Sequence, residues 1–273
     1  MKQKPALNDT VLAKNQGKTQ SVLRALELLE AFPKHGPEIG LTEIARLLQM
    51  SKATAYRLLS TLVNRGYLVR SAENRKYRLG VRIFELGSYF QSQIEIRRVA
   101  MPPMNAMVEQ TREAAFLCVR DGDEALCVER VEAPHEVNIF TLRVGGRQPL
   151  HCGGAPRALM AGMSDEEIQA YVQRSSLPAI TPYTLHTLEQ IILDVHQTRE
   201  RGYVLSANDV TIGISALGAP IYDHAGKVIA SISLSGLSNR FEDEHIDEFA
   251  TILMATASRL SSQIGGRDGD QVH

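Results

Sequence analysis

The residues best equipped for chemistry lie in "SKATAYRLLSTLVNRGYLVR", residues 51–70. Ser51, Lys52, Thr54, Tyr56 and Arg57 crowd the front of a helical stretch, and Ala55, Leu58, Leu59 and Leu62 recur at i, i+3, i+4 and i+7. One face therefore packs inward. The other carries Lys52, Ala53, Thr54, Tyr56, Arg57, Ser60 and Asn64, which include hydroxyl, amide and cationic donors suited to phosphate oxygens and base edges in a major groove. Arg75, Lys76 and Arg78 follow on an alternating segment and are placed to reach the adjacent backbone.

The elements that must hold this surface are also legible. "TQSVLRALELLEAF" spaces Val22, Leu23, Leu26, Leu28 and Leu29 as a buried helical stripe, which "PKHGPEIG" is expected to end. "LTEIARLLQM" predicts a second short helix with Thr42 as N-cap and Ile44, Leu47 and Leu48 inward; Ser51 caps the third. "GYLVRSAENRKYRLG" alternates over two short strands around "SAEN", a β-hairpin. Three helices and a hairpin make a winged helix-turn-helix. After it, Ile83, Phe84, Leu86, Phe90 and Ile94 follow at near-helical spacing up to Pro102–Pro103. That pattern suits packing on its own domain or pairing with a second copy, and a dimer reads two half-sites.

From about residue 112 strands and helices mix. "AAFLCVRDGDEALCVERVE" predicts two strands around a polar turn at Asp121, Asp123 and Glu124, and "HEVNIFTLRVGG" a third. "HCGGAPRALMAG" opens a helix after glycines; Ser164 and Glu167 form a capping box; a further helix ends at Gly202. "GISALGAPIYDHAGKVIASISLSG" is a strand, a turn and a strand, and "FEDEHIDEFATILMATASRLSSQIG" a closing helix. The fold class is α+β, a winged helix followed by an α+β ligand-binding domain.

Charge divides the chain in the same way. Residues 1–80 hold 14 Lys and Arg against 6 Asp and Glu, and residues 81–273 hold 16 against 25, although the whole carries only −1. A basic half and an acidic half suggest two modules with different partners. Cys118, Cys127 and Cys152 lack CxxC spacing, and the eight histidines show neither HxH nor HxxxH, which argues against a disulfide framework and a metal centre. No cofactor is expected. "GGRQ" and "CGGAP" lack the Lys-Ser/Thr of a phosphate loop. No apolar run approaches a membrane span or a signal-peptide core, so a cytoplasmic protein without membrane partners is expected. His151 and Cys152 invite a nucleophile–base pair, which makes an enzyme built on the α+β domain the rival reading; a winged-helix adaptor that binds protein is another. Adjacent residues usually point to different sides, however, and no acidic orienter lies nearby. A structural His151, bonding across the glycine turn, and a pocket-wall Cys152 are expected instead.

"SVLRALELLEAF", "LTEIARLLQMSKATAYRLLSTLVNRGYLVR", "KYRLG", "RVGGRQPLHCGGAPRALMA", "RERGYVLS" and "IASISLSGLSNRF" together resemble the IclR family of transcriptional regulators over residues 19–265. The resemblance implies a flexible tail (1–18), a winged helix (19–80), a linker and dimerisation helix (81–98), a GAF-like effector-binding domain (99–265) and a C-terminal tail (266–273). It implies a homodimer or tetramer on a double-stranded DNA operator, repressing or activating, with a small organic or aromatic acid as effector. A repressor of a catabolic operon is the expected function. The implied effector residues are Val137, Phe140 and Leu142, Gly154 and Ala155, Ser206, Ile214 and Ala216, and Ser233 and Ser235. Gly153–Gly154 opens a helix whose N–H groups can hold a carboxylate. Ser233 and Ser235 alternate onto one side of a strand with hydroxyls to donate. Ser206 and Ala216 depart from more polar residues common in the family, and "APR" replaces the commoner Gly-Lys; Arg157 either stays a basic group near the pocket or points to solvent, and solvent is expected.

Overall fold

The computed structural model describes residues 19–133 and 142–265 and divides into two compact units, 1–90 and 91–273. In the first unit α1 (Gln20–His35) buries Leu28, Ala31 and Phe32. Only part of its expected stripe is inside, because Val22 and Leu26 are exposed. Pro33 does not end the helix. One missing hydrogen bond in the last turn is tolerable, and the chain turns at Gly36, whose φ of 113° lies outside the helical region. α2 (Leu41–Leu47) takes Gly40 as N-cap rather than Thr42. α3 (Lys52–Asn64) starts at Ser51, whose hydroxyl accepts from the Thr54 N–H at 3.1 Å.

The wing pairs β1 (Leu68–Arg70) with β2 (Tyr77–Leu79), Leu68 opposite Leu79 and Arg70 opposite Tyr77. Ile39, inside the breaker segment, exchanges both backbone hydrogen bonds with Tyr77 (3.0 and 2.9 Å). It is buried with Leu28, Ile44, Ala55, Leu59, Leu68 and Tyr77, so the loop between α1 and α2 closes the core. α4 (Val81–Gln93) follows, largely exposed.

In the second unit α5 (Glu95–Thr111) runs straight through Pro102 and Pro103, where a helix end was expected. Each proline removes one helical hydrogen bond. The buried face of Ala100, Pro103, Met104, Met107 and Val108 outweighs that loss, since tertiary packing supplies most helical stability in proteins. The stretch 81–98, expected as one helix, therefore belongs to two, parted at Ile94.

A six-stranded antiparallel sheet has the order β5-β4-β3-β8-β7-β6, made of β3 (Ala114–Asp121), β4 (Glu124–Val131), β5 (Arg147–Pro149), β6 (Val204–Ala207), β7 (Ile214–Tyr222) and β8 (Val228–Leu237). Of the expected strand over 135–146, residues 135–141 lie outside the described residues; 142–146 are not a strand, and β5 follows them. α5 and α9 (Asp243–Gly265) cover one face over Ala115, Leu117, Leu217, Ile232 and Leu234. The other face, with Phe116, Cys118 and Cys127, lies under α6 (Gly154–Leu159), α7 (Asp165–Arg174) and α8 (Leu188–Arg201). The capping box at Ser164–Glu167 is present, and Gly202 ends α8 with φ 86°. Among the described residues no helix is long and apolar enough to cross a membrane.

Candidate functional site

Two surfaces deserve the name of site, one in each unit. In the first, Ser51, Lys52, Thr54, Tyr56 and Arg57 on α3 and Arg75, Lys76 and Arg78 on the wing are all exposed. The Ser51 hydroxyl also lies 2.9 Å from that of Thr54, so these two side chains hold each other as well as the helix start. Lys52, Arg57, Arg75, Lys76 and Arg78 form no ion pair among the described residues. In the second unit, by contrast, Arg147 meets Asp121 and Glu124, and Arg174 meets Asp123 at 2.9 Å. Five unneutralised cations on one helix front and its wing can meet phosphates without first breaking an internal bond. Asn74 donates to Glu38 at 2.7 Å and fixes the wing turn.

In the second unit a cavity of about 530 Å³, part of it open to solvent, sits between the sheet and the start of α6. Eight of the expected effector residues line it: Leu142, Gly154, Ala155, Ser206, Ile214, Ala216, Ser233 and Ser235. Val137 and Phe140 lie outside the described residues. The sheet register explains the grouping. Ser206 pairs with Ala216 and Ala216 with Ser235, while Gly218 pairs with Ser233, so residues on three adjacent strands face one way. Small side chains there let α6 descend onto the sheet: a Cβ on Gly218 would overlap the Gly154 carbonyl, and one on Gly154 would come within 3.0 Å of the Ala216 Cβ.

The sequence reading missed Asp209, Gln148, Val210, Thr211, Ser215 and Phe116, which also line the cavity. Asp209 organises it. Its carboxylate accepts from the Gly153 N–H (3.0 Å), from Arg157 Nη1 (3.0 Å) and from the Ser206 hydroxyl. Thr181 and Thr184 hold the same loop through the carbonyls of Asn208 (2.7 Å) and Asp209 (2.6 Å). The glycine turn is therefore not wholly open to an incoming carboxylate, because the first of its N–H groups already serves an internal one. Those of Gly154 and Ala155 have no acceptor among the described residues.

Arg157 does not point to solvent. It is buried, with Nε 3.0 Å from Asp194 and its outer nitrogens on Asp194 and Asp209. Burial works against its charge, but the two carboxylates outweigh that and raise its pKa. A guanidinium is the group for this position, since its planar fork meets both acids.

His151 is structural, although not through the glycine turn. Nδ1 lies 2.8 Å from the Tyr171 hydroxyl and Nε2 3.2 Å from the Pro178 carbonyl, and burial lowers its pKa. Cys152 is fully buried rather than on the cavity wall, and burial pushes its thiol up to about 12. A thiol held in that state is no nucleophile. Among the described residues no three His, Cys, Asp or Glu side chains gather as a metal site.

Comparison with known proteins gives the family of both units. A family model for the IclR helix-turn-helix domain matches residues 21–72, and one for the bacterial transcriptional regulator IclR C-terminal domain matches residues 89–262. The HTH-type transcriptional regulator XynR of Escherichia coli (strain K12) is 32% identical over 246 residues, covering 90% of this chain and 97% of that protein. The transcriptional repressor IclR of the same organism is 29% identical over 252 residues, covering 92% of each. The crystal structure of an IclR homologue from Microbacterium hydrocarbonoxydans, complexed with 4-hydroxybenzoate, superposes with a TM-score of 0.80 at 25% identity over 90% of this chain and all of that one. These relatives are regulators, not enzymes. The chain belongs to the IclR family of DNA-binding transcriptional regulators.

Proposed function

We propose that this regulator is a ligand-responsive repressor of a catabolic operon, working in the cytoplasm as a homodimer or a tetramer, with a small organic or aromatic acid as effector. The observation that supports it is the pairing, in one chain, of an unneutralised basic helix front and a small cavity lined by serines, glycines and aliphatic groups. Each third helix enters a major groove, where Lys52, Thr54, Tyr56 and Arg57 contact bases and phosphates, and Arg75, Lys76 and Arg78 contact the backbone. The acid occupies the cavity over Leu142, Ile214 and Ala216, its carboxylate near the Gly154 and Ala155 N–H groups. It regulates only by binding the DNA-competent and DNA-free states unequally. The homologue holding 4-hydroxybenzoate supports an acid of this size.

The test is fluorescence anisotropy of the full-length protein on its own upstream DNA and on scrambled DNA at two salt concentrations. Selective binding that weakens as salt rises is expected, with Arg57→Glu abolishing it and leaving the oligomer intact. Equal affinity for both DNAs, or retained binding by R57E, would sink the assignment of the helix front. Addition of organic acids should then release the DNA, whereas tighter binding on addition would identify a corepressor instead.

A further inference from the structure

We propose that the effector carries a hydrogen-bond donor, a hydroxyl or an amino group, directed at Ser206 or Ser235, so that the cavity discriminates against acids of the same shape that offer acceptors alone. This rests on the cavity being the effector site.

The ground is a count of protons. A serine hydroxyl has one proton and two lone pairs. The Ser206 hydroxyl meets Asp209, a carboxylate that also accepts from Arg157 and the Gly153 N–H and has no proton to return. Ser206 is therefore the donor in that bond, and toward the cavity it offers lone pairs alone. The Ser235 hydroxyl lies 3.2 Å from the Ser215 carbonyl, which cannot donate, so its proton is committed in the same way. Both serines are more than nine-tenths buried and both line the cavity. The Ser233 hydroxyl has no hydrogen-bond partner among the described residues, can turn its proton either way, and sets no preference.

Charge works in the same direction. Asp209 is the single charged side chain among the described residues lining the cavity, and the buried cluster of Arg157, Asp194 and Asp209 has one cation for two anions. At Ser206 and Ser235 a ligand group that only accepts meets lone pairs, whereas an O–H or N–H meets acceptors. Ser206 and Ser235 flank Ala216 across three strands spaced by about 4.8 Å. The two acceptors therefore stand roughly 10 Å apart along the sheet, and each takes its own donor.

The experiment is calorimetric titration of the full-length protein with matched acids. 4-Hydroxybenzoate and 4-aminobenzoate are compared with benzoate and 4-methylbenzoate, and malate with succinate. Donor-bearing members should bind about 10- to 100-fold more tightly than their partners, the cost of leaving a buried polar site unmatched. Of Ser206→Ala and Ser235→Ala, the one that removes the serine receiving the donor should erase that difference without loss of folding; discrimination that survives both substitutions overturns the proposal. Equal or tighter binding by the donor-free acids overturns the proposal, as does failure of every donor-bearing compound to bind. Discrimination as expected, with DNA binding unchanged by any of these acids, would keep the donor preference and remove the effector reading.

Discussion

Arg157 is the residue on which the cavity depends most. Its guanidinium holds Asp194 of α8 and Asp209 of the loop before β7, and Asp209 in turn holds the glycine turn and Ser206. Removing the cation leaves two carboxylates buried without a partner, which costs far more than the pair contributes over an apolar substitute. Arg157→Met is therefore expected to lose about 3–5 kcal/mol of stability, read as a lower midpoint in urea denaturation followed by circular dichroism. Arg157→Lys keeps the charge without the fork and should fall between the two. Adding Asp194→Asn and Asp209→Asn to R157M should recover part of the loss; an unchanged midpoint in R157M would show that the cluster does not bear on the fold. Little of this was legible in the sequence. Arg157 followed a helix start and looked like a solvent-facing base, because its partners lie 37 and 52 residues away and no local pattern joins them. Asp209 sat in "SANDVTIG", which has the composition of an ordinary turn. The serines and glycines were legible, since alternation on a strand and a glycine pair before a helix are local signals.

The elements show the same division between local and distant causes. Ser51, Ser164 with Glu167, and Gly202 mark helix ends that follow from side-chain and backbone chemistry within four residues, and all stand where their types require. The ends expected at Pro33 and at Pro102–Pro103 fail, because burial of Phe32 in one case and of Met104 and Met107 in the other outweighs one or two lost hydrogen bonds. Ile39 was invisible for the converse reason: its burial depends on a bridge to Tyr77, which lies 38 residues on. Close approach of elements is another distant cause. Gly218 on β7 permits the backbone of α6 to lie directly on the sheet, and any Cβ there overlaps the Gly154 carbonyl. Since that obstacle is backbone, α6 must lift. Gly218→Ala is expected to cost about 1–3 kcal/mol and to open the cavity wall. Differential scanning calorimetry should show a lower transition, and titration with 4-hydroxybenzoate should show weakened binding. A variant with unchanged melting and unchanged affinity would mean that α6 does not need its present seat.

At the scale of the whole molecule the question is what α4 rests on. It has 13 residues, a length at which an isolated helix is marginal in water. Yet Val81 is 68%, Phe84 73%, Leu86 48%, Tyr89 66% and Phe90 56% exposed. Val22 and Leu26 on α1 are exposed as well. Apolar side chains so placed favour covering, and a second copy of the chain is the partner that suits a regulator reading two half-sites. Sequence periodicity left own-domain packing and pairing equally open; the homodimer proposed above would cover these side chains. Phe84→Ser removes a central apolar group from that face without touching the cations of α3 or the wing. Analytical ultracentrifugation should then show the dimer shifted toward monomer, and anisotropy should show operator affinity reduced by about 100-fold, as a two-site contact becomes a one-site contact. Binding of 4-hydroxybenzoate should be unchanged, because the cavity lies wholly within the second unit. A dimer that persists in F84S with full operator affinity would place the interface elsewhere. Loss of operator affinity with the dimer intact would instead make Phe84 part of the DNA-binding unit's own fold.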